Sequence, residues 1–218
     1  VTAGSGYAIN SIGSGKVQVS GGSVGRIYNE GGGTVEVSGG QVSSSYDVIT
    51  TSKGGSVIIT GGTVAAVGEG IAGRAIVNTS SGSISISGGT VQSVYGSAIY
   101  NSGSGLITIS GDALITSQTD ETTGTIHLAY CPDMDAVGLV ITGGTIENTY
   151  FRGGSYSMLK VSIPSGSVTI RGGKYAMSSA PTLGNNVKVT ASTKIDGETP
   201  VDYLKADIQN YKYLRFEE

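Results

Sequence analysis

The sequence predicts an all-β chain wound as a single-stranded parallel β-helix of about seven coils, closed by a non-repeating C-terminal cap. Three observations carry that prediction: an internal repeat, strict apolar alternation inside each copy, and a composition in which Gly, Ser and Thr crowd out helix formers. Of 218 residues, 37 are Gly, 30 Ser and 22 Thr, only 13% are charged and none is Trp. Such a chain lacks the Ala, Glu, Leu and Lys of a helical bundle or coiled coil, and its glycines keep no every-third period, which excludes collagen. With 38% hydrophobic residues and a net charge of −3, it holds enough apolar matter for a core, unlike a disordered chain. The acidic balance and scattered Lys and Arg provide no electrostatic footprint for nucleic acid. No apolar run reaches the roughly 18 residues of a membrane span, and the opening residues Val1 to Gly6 do not have the pattern of a signal peptide.

The repeat reads KVQVSGGSV (16–24), TVEVSGGQV (34–42), SVIITGGTV (56–64), SISISGGTV (83–91), LITISGDAL (106–114), LVITGGTI (139–146) and SVTIRGGKY (167–175). Its corner falls at Gly21, Gly39, Gly61, Gly88, Gly111, Gly143 and Gly172, at spacings of 18, 22, 27, 23, 32 and 29. Within each copy the alternation turns one set inward: Val17 and Val19, Val35 and Val37, Val57 and Ile59, Ile84 and Ile86, Ile107 and Ile109, Leu139 and Ile141, Val168 and Ile170. The glycines then allow a tight corner at no steric cost, after which an aliphatic residue points inward again. Hairpins would need Asn-Gly or Asp-Gly between paired strands and a fixed repeat length. Coils of elastic length sharing one recurrent corner instead stack one on the next.

A second half-motif precedes most corners: YAIN (7–10), RIYN (26–29), AIVN (75–78) and AIYN (98–101). Its Asn lies ten residues before the corner in three copies and eleven in the first, and the ten-residue offset puts Thr51, Asp133 and Ser162 in the same slot elsewhere. Asn10, Asn29, Asn78 and Asn101 are expected to stack as a polar ladder at a turn, each amide bonding turn backbone and the next coil. A row of ligand-binding amides is the weaker reading, because the slot accepts Thr51 and Ser162. The outward positions of the Val-x-Val strands, such as Gln18, Glu36, Ile58, Ser85, Thr108 and Val140, form a hydroxyl-rich face with Glu36 as its only carboxylate. That face lacks the neighbouring carboxylates that lyase or hydrolase chemistry needs.

Chemistry or binding is expected in the longer coils, since insertions in a solenoid collect on loops. They span 65–74, 112–137 and 147–159. The pair Asp133 and Asp135 resembles a fragment of a Ca²⁺ site, but such a site takes six or more oxygens, so Ca²⁺ is a weak expectation and no other cofactor is indicated. His127, in an alternating TIHLA stretch, points away from Ile126 and Leu128 and reads as a surface residue. Cys131 aligns with Ile99 and reads as a small buried hydrophobe; as the single cysteine it forms no internal disulfide. The 12 tyrosines are in marked excess over the 2 Phe. Tyr28 and Tyr100 are expected to face outward beside the ladder, while Tyr95 falls in the connection after the Gly88 corner and Tyr130, Tyr150 and Tyr156, with Arg152, fall in insertions. Aromatic faces on a rigid polar surface suit sugar stacking or protein contact, so Tyr95, Tyr130, Tyr150, Arg152 and Tyr156 are the candidate ligand-binding residues.

Residues 1–180 form the repeat region and 181–218 the cap or a junction to a following module. The latter contains a strand-like VKVTA, a turn at Asp196-Gly197, a YLKADI segment and a final alternating YKYLRFE. Val1 to Asn10 aligns with Val91 to Asn101, so the chain is expected to start in mid-coil, as a segment of a longer multidomain protein.

The unit AIYNSGSGLITISG with its GGTV-type corners, and the ending VTAST to NYKYLRFE, resemble the degenerate β-helix repeats of large secreted or cell-wall-attached proteins of Gram-positive gut bacteria. The resemblance covers essentially the whole chain. It implies a right-handed β-helix of the pectate-lyase-like superfamily and an extracellular or cell-wall-attached setting. No position matches the catalytic sets of that superfamily's lyases and hydrolases, and fold alone does not supply function. The sequence therefore points to a non-catalytic adhesin-type surface domain whose loops meet a polysaccharide, another glycan or a host surface protein. The rival is a polysaccharide-active lyase or glycoside hydrolase using Asp112, Asp120, Asp133 and Asp135, and a third reading is a passive stalk.

Overall fold

The computed structural model describes residues 1–2, 4–119, 123–129, 137–149, 159–161, 165–176, 182–183, 186–191 and 213–216, with side chains through 129, over 138–149 and at Leu159. Its described residues form strands, turns and bends and contain no helix. The strands build a parallel β-solenoid with three strand columns. Seven triplets and one two-residue strand make the first: Ile9–Ser11, Ile27–Asn29, Ile49–Thr51, Ile76–Asn78, Ile99–Asn101, Ile126–Leu128, Leu159–Val161 and Thr182–Leu183 stack in that order as one eight-stranded sheet. The corners predict about seven coils. The Val-x-Val strands form the second column, and the strands after each Gly-Gly corner form the third.

Register explains why so plain a sequence folds. Val17, Val35, Val57, Ile84, Ile107 and Leu139 stand opposite one another down the second column, as do Val19, Val37, Ile59, Ile86, Ile109 and Ile141. Val24, Val42, Val64, Val91, Ile115 and Ile146 line up in the third, and Ile9, Ile27, Ile49, Ile76, Ile99, Ile126 and Leu159 in the first. From Ile27 onward almost all of these are fully buried, so each coil lays β-branched side chains on those of the next in one continuous core. A strand buried this way satisfies its backbone only through the rungs above and below, so adding a coil extends core and hydrogen bonding together.

The corners depend on the second glycine of each pair. Gly22, Gly40, Gly62, Gly89 and Gly144 all have positive φ, between 69° and 86°. From Gly40 onward the corner also lies against the corner below: a Cβ on Gly89 would sit 2.7 Å from the carbonyl carbon of Gly61. The corner at Gly111 departs from this pattern. Leu114 pairs with Thr90 and Ile115 with Val91, so the SGDA corner holds one residue more than SGG, and Ile115 rather than Leu114 takes the inward place. Ala113 turns in to fill the extra corner, and Asp112 is exposed.

The polar column of the first sheet runs through Ser11, Asn29, Thr51, Asn78 and Asn101. Its first member corrects the sequence reading: Asn10 pairs with Tyr28 on the outer side and is exposed, while Ser11 stands opposite Asn29. The eleven-residue offset of that copy marked the slip, because one step along a strand reverses the face. After Asn101 the slot turns apolar, with Leu128 and then Val161 in register. The slot therefore passes to neither Asp133 nor Ser162, because the chain between slot and corner lengthens in those coils. For the same reason Ile126, not Cys131, stacks on Ile99. Asp133, Ser162 and Cys131 lie outside the described residues.

Beyond the seventh corner, Thr182–Leu183 and Asn186–Ala191 pair parallel with Leu159–Val161 and Ser165–Ala176. Tyr213–Phe216 runs antiparallel against Gly173 to Ala176. A strand of opposite direction at the edge of a parallel stack interrupts the run of coils there.

Candidate functional site

Segments joining the third column to the first fall on one edge of the solenoid, because successive rungs keep their register. Just ahead of each Ile-x-Asn-type triplet they carry Tyr7, Arg26, Tyr46, Arg74 and Tyr95. Each residue is remote in sequence from its neighbours in this edge, and the stacking of coils brings them together. Two clusters result, and they differ in kind.

One is closed. Asp47 accepts two hydrogen bonds from the Arg74 guanidinium, at 3.0 Å from Nε and 2.7 Å from Nη2, and a third from the Arg74 backbone N–H at 2.9 Å. Burial opposes the Arg74 charge, but its bonds and attraction to Asp47, helped by Tyr100, outweigh this and raise its pKa above the ordinary guanidinium value. The guanidinium lies 4.3 Å from the Tyr100 ring centre, and Tyr100 meets His127 edge to face at 5.3 Å. Tyr100 and His127 are register partners on the outer side of the first sheet. Val77, next in that outward column, is only 3% exposed, so this stretch is covered. A bidentate pair with its charge neutralised and its rings packed on each other is a tie between coils.

The other cluster is open. Tyr7 stacks on Tyr28 with ring centres 5.0 Å apart and planes inclined by 24°. Arg26 lies over Tyr7 at 4.2 Å and within 5.2 Å of the Tyr46 ring. Its Nε donates to the Asp47 carbonyl at 3.0 Å and its Nη1 to the Ser5 carbonyl at 2.8 Å, so the guanidinium is fixed without being neutralised. Tyr7 and Tyr46 remain 39% and 41% exposed, and Tyr95 44%. A pocket of about 340 Å³ opens beside Arg26 and Tyr46, walled by Thr2, Gly4, Gly25 and the run Ser43, Ser44, Ser45.

Of the ligand-binding candidates, Tyr95 is described and lies on this edge. Tyr130, Tyr150, Arg152 and Tyr156, with the Ca²⁺ candidates Asp133 and Asp135 and the acid candidate Asp120, fall outside the described residues. Sequence reasoning missed the grouping of Tyr7, Arg26 and Tyr46. Their shared place just ahead of the triplet was the available signal, and it becomes visible only once the coils are aligned on their first-sheet strands. Among the described residues, no three His, Cys, Asp or Glu side chains gather as metal ligands, and no helix is long and apolar enough to cross a membrane.

The chain matches no protein-family model, no curated protein and no solved structure. What is shown of its kind is the parallel β-solenoid, and function has to be argued from the site.

Proposed function

We propose that this chain is a non-catalytic, adhesin-type β-helix module, extracellular or cell-wall attached, that binds glycans along its aromatic edge. The observation carrying the reading is that Tyr7, Tyr46 and Tyr95, all about two-fifths exposed, recur on one edge of a scaffold whose rungs are held by parallel pairing. Rungs stacked about 4.8 Å apart place the Tyr7, Tyr46 and Tyr95 positions about 10 Å from one to the next along the axis, a span comparable to a disaccharide. Tyr rings supply flat contact area at low entropy cost, and the rigid coils keep them in place before a ligand arrives. Placement outside the cell, and within the pectate-lyase-like superfamily, rests on the likeness of the repeat unit to those of secreted Gram-positive proteins.

A glycan array with the purified chain, followed by a product assay on every polysaccharide bound, tests this. Binding without product is expected, weakened about tenfold or more by Tyr46→Ala or Tyr95→Ala in proteins that melt like the parent; tenfold corresponds to about 1.4 kcal/mol. Binding that ignores both substitutions would remove the edge as the site. Cleavage of a bound polysaccharide would establish the enzyme instead, and absence of any glycan binding would favour a stalk or a protein-binding surface.

A further inference from the structure

We propose that the pocket beside Arg26 is a subsite for a terminal acidic sugar, its carboxylate held by the Arg26 guanidinium and its ring laid against Tyr46. The inference rests on the glycan-binding reading and adds a charge requirement to it. Among the described side chains, Lys16 pairs with Glu36, Lys53 with Glu30 and Arg74 with Asp47. Arg26 faces no carboxylate among the described residues. Each of the other three described Lys and Arg side chains has an acidic partner, so the unneutralised and immobilised guanidinium of Arg26 is a specific feature among them.

Its immobilisation is what makes it suitable. Carbonyl acceptors occupy Nε and one N–H of Nη1, and the Tyr7 and Tyr46 ring centres lie 4.2 and 5.2 Å from its Cζ. The Nη2 amine and the second Nη1 N–H are left as donors. Arg presents such donors as a planar fork matched to a carboxylate, and a fork held in advance loses little entropy on binding. Around it the wall supplies sugar-like complementarity. The Ser43 and Ser45 hydroxyls make no side-chain bond to the protein among the described residues, whereas the Ser44 hydroxyl accepts from the Tyr46 N–H at 3.1 Å. A volume of about 340 Å³ lies at the small end of ligand sites, which suits one ring at a chain end better than an internal stretch of polymer.

The test is binding of N-acetylneuraminic acid and glucuronic acid, each compared with its methyl ester, to the parent chain and to Arg26→Gln. The free acid should bind about tenfold or more tightly than its ester, with the added bond to a charged group as the cause, and Arg26→Gln should erase that preference. Equal binding of acid and ester, or a preference that survives Arg26→Gln, would overturn the acidic subsite while leaving glycan binding intact. Binding of neither the acids nor any arrayed glycan would overturn the underlying reading as well. If Arg26→Gln does not fold, the acid-to-ester ratio on the parent chain decides alone.

Discussion

Gly89→Ala is expected to destabilise the chain by about 2–5 kcal/mol, far more than its size suggests. Two costs add. At φ of 74° an L-residue with a Cβ loses about 1–2 kcal/mol relative to its preferred region. The new Cβ would also meet backbone, 2.7 Å from Gly61 C, 2.7 Å from Gly62 O and 2.9 Å from Gly61 Cα. Backbone in a stacked corner cannot rotate away as a flexible side chain would, so the coils must part locally, and overpacking of this kind costs about 1–3 kcal/mol. Gly22→Ala separates the two terms. Gly22 has nearly the same φ, 69°, yet a Cβ added there would have nothing within 4 Å, so only the first cost of about 1–2 kcal/mol applies. Denaturant midpoints of the two variants measure the difference directly. Equal losses would mean that the corners are not stacked as described.

Asn78→Ala is expected to cost about 3–5 kcal/mol, the other large effect. Asn78 is fully buried and its amide ties three coils. Its Oδ1 accepts from the Thr51 hydroxyl at 3.0 Å, the Ser80 N–H at 3.1 Å and the Ser80 hydroxyl at 2.9 Å. Its Nδ2 donates to the Gly82 carbonyl at 2.7 Å, the Ser80 carbonyl at 3.2 Å and Asn101 Oδ1 at 2.9 Å. Removing the amide strands polar groups at Thr51 and Ser80, both buried, and takes one of its two donors from Asn101 Oδ1; an unsatisfied buried group costs about 1–3 kcal/mol, with losses inside one network not simply additive. Asn78→Asp should be no milder despite its identical shape, because a carboxylate would aim an oxygen at three acceptors and bury a charge. Asn10→Ala should change stability by no more than about 0.5 kcal/mol, as an exposed substitution does. Thermal or chemical unfolding of the three variants checks the order, and a large loss from Asn10→Ala would contradict the register that puts Ser11, not Asn10, in the ladder.

The fold was legible because its determinants are local and repeated. Each pair such as Val57 and Ile59, followed by Gly-Gly, states its own strand, inward face and corner, and copies reinforce one another without any long-range inference. What the sequence hid were single-residue steps and insertions. The Asn10 slot was displaced by one, the Gly111 corner took one residue more, and Asp133, Ser162 and Cys131 were assigned by an offset that fails where a coil lengthens. Strand pairing corrects all three kinds of slip, since the rung below dictates which residue turns in. The Tyr7, Arg26 and Tyr46 cluster was hidden for a different reason: its members belong to successive coils, and no motif within any one of them announces the contact. Arg26 in particular reads in sequence as one scattered cation, and only its carbonyl anchors at Ser5 and Asp47 and its lack of a described carboxylate partner set it apart from Arg74.

The central claim is that a stacked scaffold turns the segments ahead of the first-sheet strands into one binding edge. Amide chemical-shift mapping of the ¹⁵N-labelled chain with an arrayed glycan that binds tests it most directly. Perturbations are expected to gather at Gly4 to Tyr7, Gly25 and Arg26, Ser43 to Asp47, and Val94 to Ser97. Perturbations centred instead on the outer face of the Val-x-Val column, at Gln18, Glu36, Ile58, Ser85 and Thr108, would contradict it.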